Sequence, residues 1–213
     1  MNQLEFRPDL IVEATNACDR VCPGCYAPNV VVGAAGGAAA FGVMHLAPEL
    51  LAEAWPSDES VGVVSIRGGE PTLNPAIARL IELACARAAC VYLETSGGWI
   101  SPGHPLLEVL RKSGCVAKVS LDKMHGTSRD EARRKLDVLA QAGVKAAAAI
   151  TECTPEQFKA SRARLLEGFQ GEVFWQKKAA AAGELVRPAI GVISTAGHLK
   201  KEVSHHLDAA LAR

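Results

Sequence analysis

The chain has 213 residues, 49% of them hydrophobic and 22% charged, which is the balance of a soluble globular fold with a sizeable core. Lys plus Arg and Asp plus Glu stand at 23 each, so a net charge of zero offers no broad grip on nucleic acid or an acidic membrane. No stretch approaches the roughly 20 apolar residues a membrane helix needs, and the opening MNQLEFRPDLIVEAT lacks a basic segment ahead of a long apolar run; a cytoplasmic protein is expected.

Leu10–Thr15 is the first predicted strand, and three cysteines follow it at once. Pro28–Gly42, rich in Gly and Ala, offers little to pack and reads as a mobile loop. Leu46–Trp55 predicts a helix with Pro48 in its first turn, and Val61–Arg67 a strand. Pro75–Ala88 predicts a helix with Ile77, Leu80, Ile81 and Ala84 along one face. Cys90–Thr95 is the next strand, and Pro105–Ser113 a helix that Gly114 ends. Val116–Leu121 predicts a strand and Ser128–Ala142 a helix, its face made by Ala132, Leu136, Leu139 and Ala140. Lys145–Thr151 is an Ala-rich strand, Thr154–Gly168 a helix opened by Thr154-Pro155, and Glu172–Lys177 a sixth strand. Leu199, Val203, Leu207 and Leu211 recur every four residues, which predicts a last amphipathic helix over His198–Ala212. Six repeats of strand then helix predict a wound α/β fold of parallel strands. No linker interrupts them, so one domain is expected, with a core at 10–178 and an extension at 183–213. Function in such folds gathers at the carboxyl ends of the strands.

Seven cysteines are unevenly spread: Cys18, Cys22 and Cys25 have the spacing C-x3-C-x2-C, while Cys85, Cys90, Cys115 and Cys153 stand singly. An odd total without an export signal argues against a disulfide framework. Three thiolates on so short a loop can converge on one metal centre. Zinc would want a second Cys or Cys/His pair, which the sequence does not offer. A cubane iron–sulfur cluster normally takes four thiolates, so three leave one iron open to a ligand. An incomplete zinc knuckle or structural thiols stay open as readings of the spacing alone. No further CxxC pair exists and 183–213 holds no cysteine, so no auxiliary cluster is expected, and the four singletons read as buried thiols, with facing the site the alternative for Cys153 at a strand end. Gly68-Gly69-Glu70-Pro71 follows the strand Val61–Arg67 directly. Two glycines let backbone approach a ligand closely, and a carboxylate there can accept hydrogen bonds from an ammonium.

The run Glu13-Ala14-Thr15-Asn16-Ala17-Cys18-Asp19-Arg20-Val21-Cys22-Pro23-Gly24-Cys25-Tyr26, with Gly68-Gly69-Glu70-Pro71 at the next strand end, resembles the radical S-adenosylmethionine superfamily. The resemblance covers roughly residues 10–178. It implies a partial (β/α)6 TIM-like barrel of parallel strands, here with a C-terminal helix. It also implies that Cys18, Cys22 and Cys25 hold a [4Fe–4S] cluster whose open iron chelates S-adenosylmethionine. Reductive cleavage of that cofactor gives a 5′-deoxyadenosyl radical, which takes a hydrogen atom from substrate. Gly68, Gly69, Glu70 and Pro71 match the family's GGEP motif, which holds the methionyl amino group. Where the family has an aromatic residue before the third cysteine this chain has Gly24, with Tyr26 just after it as a cofactor-binding candidate.

Further cofactor candidates stand at successive strand ends: Thr95 and Ser96 within Glu94-Thr95-Ser96-Gly97-Gly98, then Ser120 and Asp122, then Thr151 and Glu152. His125 and Lys123 are candidate substrate contacts, and Gln176, Lys177 and Lys178 candidates for the barrel mouth. His205 and His206 face different directions on their predicted helix and read as solvated. The build resembles compact members of the superfamily, such as the carboxy-deazaguanine synthases and the glycyl-radical activating enzymes. A small-molecule substrate and a flavodoxin or ferredoxin donor are expected. A glycyl-radical activating or peptide-modifying enzyme is the alternative within the superfamily; outside it stands a non-catalytic iron–sulfur or zinc sensor.

Overall fold

The structure is a computed structural model and describes residues 6–22, 25, 30–32, 42–57, 60–122, 124–177 and 190–200. In chain order, β1 (Leu10–Thr15), β2 (Ala17–Cys18) and β3 (Val30–Val31) precede α1 (Pro48–Ala54) and β4 (Val61–Gly68). A 3-10 turn at Pro71–Leu73 leads to α2 (Ile77–Cys85), β5 (Ala88–Thr95), α3 (Pro105–Ser113) and β6 (Val116–Ser120). Then come α4 (Arg129–Gln141), β7 (Ala146–Glu152), α5 (Pro155–Leu165), β8 (Glu172–Lys177), β9 (Gly191–Ile193) and β10 (Leu199–Lys200). The chain forms two compact units: Pro8–Leu93 with Arg187–Arg213, and Met1–Arg7 with Glu94–Val186.

In the unit of Pro8–Leu93, β1 is buried almost throughout, as Leu10, Ile11, Val12 and Ala14 show. That suits a parallel strand covered on both faces. β1 pairs with β4 in parallel, Ile11 opposite Ser65 and Glu13 opposite Arg67, and β4 pairs with β5, Ser65 opposite Tyr92. Paired residues point the same way from a sheet, so Ile11, Glu13, Ser65, Arg67 and Tyr92 share one face. α2 buries the stripe Ile77, Leu80, Ile81 and Ala84 expected from its spacing. The helix starts later than expected, at Ile77, because Asn74 just before it holds Pro75 and Ala76 in a turn: Asn74 Nδ2 donates to Ala14 O and Leu46 O, while its Oδ1 accepts from Ala76 N.

The unit of Glu94–Val186 holds β6, β7 and β8 in parallel. Lys118 stands opposite Ala147, Ser120 opposite Ala149, Ala149 opposite Phe174, and Thr151 opposite Gln176. β7 is strand despite four alanines, since Ala147, Ala148, Ala149 and Ile150 are all buried between two partner strands. Context of that kind outweighs intrinsic β preference. α5 opens with a capping box, Thr154 and Gln157 each bonding the other's backbone N–H. α4 departs from the expected face: Ala132, Lys135, Val138 and Leu139 are buried, Leu136 is half-buried and Ala140 is exposed.

The start of the helix expected over His198–Ala212 is corrected. Leu199–Lys200 is a strand, antiparallel to β9, which itself lies parallel to the outer edge of β1. The cause is a tight turn: Gly197 N donates to Ser194 O at 2.8 Å, and Gly197 adopts a left-handed conformation (φ 74°) that folds the chain back. Residues 201–213, with His205 and His206, lie outside the described residues. Most of the Gly/Ala-rich segment 28–42 does too; within it Val30–Val31 pairs with Ala17–Cys18. Among the described residues no helix is long and apolar enough to cross a membrane.

Candidate functional site

The cysteine loop begins where β1 ends, and side chains fix that junction. Thr15 Oγ1 accepts from Ala17 N at 3.0 Å and lies 2.9 Å from both Met44 O and His45 Nδ1. Asn16 Oδ1 accepts from Met44 N at 2.7 Å, and Asn16 Nδ2 donates to Gly42 O. The Gly68-Gly69-Glu70 turn is then stitched onto the same junction, Gly69 N donating to Thr15 O at 2.8 Å and Glu70 N to Ala17 O at 2.7 Å. A Cβ at Gly68 would stand 2.2 Å from Thr15 O, and one at Gly69 2.0 Å from Ala17 O. The glycines therefore admit the backbone of the cysteine loop itself; the close approach is chain to chain.

Glu70 is buried, and its Oε1 accepts from Thr72 Oγ1 at 2.7 Å and Thr72 N at 3.4 Å, capping the 3-10 turn that Pro71 begins. The buried Cys18 thiol is pushed above its ordinary range, first by burial, against a lowering hydrogen bond from the Arg20 backbone. The negative charges of Asp19, Glu70 and Cys22 raise it further. Cys22 is half-buried and Cys25 exposed, with Cys25 N donating to Cys22 O at 3.1 Å. Among the described residues no three His, Cys, Asp or Glu side chains are grouped so as to hold a metal ion. Pro23, Gly24 and Tyr26 of this loop lie outside the described residues. The donor chemistry nonetheless fits an iron–sulfur centre. Three soft thiols share one loop, and the anionic surroundings of Cys18 disfavour its thiolate unless a cation offsets them.

In the unit of Glu94–Val186, Thr95 ends β5 buried, its Oγ1 accepting from Gly97 N at 2.9 Å and Trp99 Nε1 at 3.0 Å. Ser96 is also buried, and its carbonyl accepts from Lys135 Nζ at 2.9 Å. Ser120, half-buried, closes β6 on the same face as Lys118. Asp122 is fully buried and both its oxygens are engaged. Oδ1 takes His125 Nδ1 at 2.7 Å and His125 N at 3.0 Å, and Oδ2 takes Thr151 N at 3.0 Å. Burial alone would raise this carboxyl, but the hydrogen bond and charge of His125 and the two backbone N–H groups outweigh it and hold it below the usual range. Asp122 thus staples its loop to the end of β7.

A row of polar side chains continues across the strand ends. Thr151 Oγ1 donates to Gln176 Oε1 at 3.2 Å, and Gln176 Nε2 donates to Glu94 Oε2 at 3.3 Å. Lys118 Nζ lies 3.2 Å from the same Glu94 oxygen and 3.6 Å from the centroid of the Phe6 ring, with Phe174 at 5.5 Å. Glu152 accepts from Ser161 of α5 instead. Lys123 and Lys178 lie outside the described residues. Of the single cysteines only Cys115 is buried; Cys85 and Cys90 are half-buried, which corrects the expectation for those two, and Cys153, at the end of β7, is exposed. Sequence reasoning missed Lys118, Lys135 and Phe6. The available signals were a lysine inside the apolar run VAKVSL and another three residues after Ala132 on the apolar stripe of α4.

No protein-family model matches the chain, and no curated protein matches it in sequence. Solved structures of SuiB from Streptococcus suis are similar. SuiB bound to the precursor peptide SuiA gives a TM-score of 0.60 at 17% identity, and SuiB bound to S-adenosylmethionine gives 0.59 at 18%. These alignments cover 99% of this chain but 46% and 48% of SuiB, so the chain spans about half the length of the protein it matches. The likeness shows the fold, the mainly parallel α/β architecture expected from the sequence.

Proposed function

We propose that the chain is a radical S-adenosylmethionine enzyme, with residues 10–178 as its catalytic core. The observation that carries this reading is the pair of hydrogen bonds joining Gly69 and Glu70 to Thr15 and Ala17. They make Glu70 an electrostatic neighbour of Cys18, so two motifs far apart in sequence form one local structure. The fold shared with SuiB, solved with S-adenosylmethionine bound, supports it further.

Cys18, Cys22 and Cys25 would hold a [4Fe–4S] cluster, which would supply one-electron reduction of S-adenosylmethionine and so hydrogen-atom abstraction from a substrate. Glu70, oriented by Thr72, accepts hydrogen bonds from the methionyl ammonium. Gly68, Gly69 and Pro71 set its place. Tyr26, just after the third cysteine, is the candidate contact for adenine. Asp122 acts through its loop, since both its oxygens are already engaged.

A small polar molecule is the proposed substrate, supported by the half-buried polar row of Ser120, Thr151, Gln176 and Glu94. A precursor peptide is the second reading, favoured by the likeness to SuiB, which has been solved with one. A flavodoxin or ferredoxin in the cytoplasm serves as donor. The test is anaerobic reconstitution with iron and sulfide, then dithionite and S-adenosylmethionine, with 5′-deoxyadenosine measured by chromatography. Wild type is expected to form it, and the Cys18/Cys22/Cys25→Ala variant none. A reduced cluster that leaves S-adenosylmethionine intact refutes the reading. A sensor that only holds a cluster would be indifferent to Glu70→Ala, whereas the enzyme loses cofactor affinity and turnover.

A further inference from the structure

β1 ends at Thr15, and the chain leaves the sheet there to form the cysteine loop. Segment 42–46 runs back along this exit. Leu46 N donates to Ala14 O at 2.9 Å and Asn16 N to Met44 O at 3.2 Å, an antiparallel pairing centred on Thr15 and His45. The Asn16 side chain carries the pairing one step further. Its Oδ1 accepts from Met44 N at 2.7 Å and its Nδ2 donates to Gly42 O at 3.2 Å, so the amide does what another peptide group would do. Having one donor and one acceptor opposite it fixes which way round the amide lies.

Aspartate at this position would keep the bond from Met44 N but offer Gly42 O no donor, and glutamine would carry the amide one methylene too far. Hydrogen bonds as exposed as these add little to stability, because water can replace them. Their value lies in what comes next along the chain. Ala17–Cys18 pairs with Val30–Val31, and Val32 N donates to Cys18 O at 2.9 Å. Gly69 N and Glu70 N meanwhile donate to Thr15 O and Ala17 O. Residues 14–18 are thus held by three separate segments, 30–32, 42–46 and 68–70. Cys18 is the buried thiol of the three, whereas Cys22 is half-buried and Cys25 exposed. The fold therefore pre-places one ligand, and Asn16 stands two residues before it.

We infer that Asn16 is a positioning residue for the iron–sulfur cluster. By tying the exit of β1 to Met44 and Gly42 it sets the place from which the Cys18 thiolate meets iron. This rests on the proposed function and extends it to a residue that is not itself a ligand.

The test uses the full chain, reconstituted anaerobically with iron and sulfide. Iron loss to a ferrous chelator is followed by absorbance, and the dithionite-reduced cluster by electron paramagnetic resonance. Asn16→Ala is expected to lose iron about tenfold faster than wild type or more, the scale of losing a group that supports a metal ligand, and to show altered g-values. Asn16→Asp, which keeps the acceptor for Met44 N, should fall between the two. Asp9→Ala controls for stability alone. Asp9 Oδ2 accepts from Gly62 N at 3.0 Å and Val63 N at 2.8 Å ahead of β1, so its loss should lower Tm yet leave iron loss and g-values as in wild type. Wild-type iron loss and g-values in Asn16→Ala overturn the proposal, and so does equal acceleration in Asp9→Ala. If Asn16→Ala does not fold, Asn16→Asp decides on the same readouts, and wild-type behaviour there overturns the proposal. Wild type that assembles no cluster refutes the proposed function itself, a result distinct from an equally stable cluster in wild type and Asn16→Ala.

Discussion

Replacing Glu94 with leucine leaves the Lys118 ammonium, 0% exposed, facing the Phe6 and Phe174 rings without the carboxylate that now lies 3.2 Å away. Removing one partner of a buried pair in this way costs about 3–5 kcal/mol, because the charge left behind stays desolvated. The ring contacts do not reduce that cost, since the wild type already has them. Lys118→Met is the milder change. The Glu94 side chain is 18% exposed and keeps the hydrogen bond from Gln176, so about 1–2 kcal/mol is expected. At about 2–4 °C per kcal/mol for a chain of this size, Glu94→Leu should lower Tm by on the order of 10 °C and Lys118→Met by a few degrees. The double variant should recover much of the Glu94→Leu loss, since no buried charge remains. Urea unfolding of the cluster-free chain, followed by circular dichroism, measures all three. Equal costs for the two single variants, or additivity within about 0.5 kcal/mol, would refute the reasoning.

Gly69→Ala puts a Cβ 2.0 Å from a backbone oxygen that cannot swing away, so it should separate the turn from the cysteine loop. A lowered Tm together with lost iron uptake, measured colorimetrically, is expected, and normal uptake would contradict it. The raised Cys18 thiol means the folded chain holds that proton more tightly than the unfolded one. Stability from this group is therefore full below the ordinary thiol value and falls as pH rises through it. In the cluster-free chain, maleimide labelling read by peptide mass should reach Cys25 well before Cys18 at pH 8; equal rates would count against the burial argument. Asp122 behaves oppositely: its depressed carboxyl contributes stability above the ordinary carboxylate value, lost as pH falls through the lower folded value. Asp122→Asn should weaken that part of the acid limb in a pH series of urea midpoints, and an unchanged limb would show that His125 does not stabilise the charge.

The core strands were legible because their apolar runs, with the Ala-rich β7 the one poor in β-preferring residues, are bounded by glycine, proline or charge. The helices were legible because caps such as Thr154 and stops such as Gly114 are local chemistry. Misreadings arose where a distant partner decides. β9 is only three residues long and is strand because the edge of β1 receives it. Leu199 continues a helical spacing, but the turn at Gly197 returns it to β9. Asn74, just ahead of the expected start of α2, is held by Ala14 O and Leu46 O, contacts that no local pattern announces. Buried lysines are opaque for the same reason. Nothing within VAKVSL announces that a carboxylate and two phenyl rings wait for Lys118.

The glycines of the Gly68-Gly69-Glu70 turn show how a motif can name the right residues for a different reason. Read from sequence, they clear space for a ligand. In the fold they clear space for Thr15 O and Ala17 O, and the hydrogen bonds this approach permits carry Glu70 to the side of Cys18. The difference matters for the proposed enzyme. A glycine that merely made room for a ligand could be replaced at the expense of ligand affinity alone. A glycine that joins two segments couples them, so damage at residue 69 must reach the cysteines as well as the carboxylate. Cluster uptake and cofactor affinity should then fail together at Gly69, whereas Glu70→Ala, which keeps the backbone stitch, should spare the first and lose the second. That contrast separates a turn that builds the metal loop from one that only borders it.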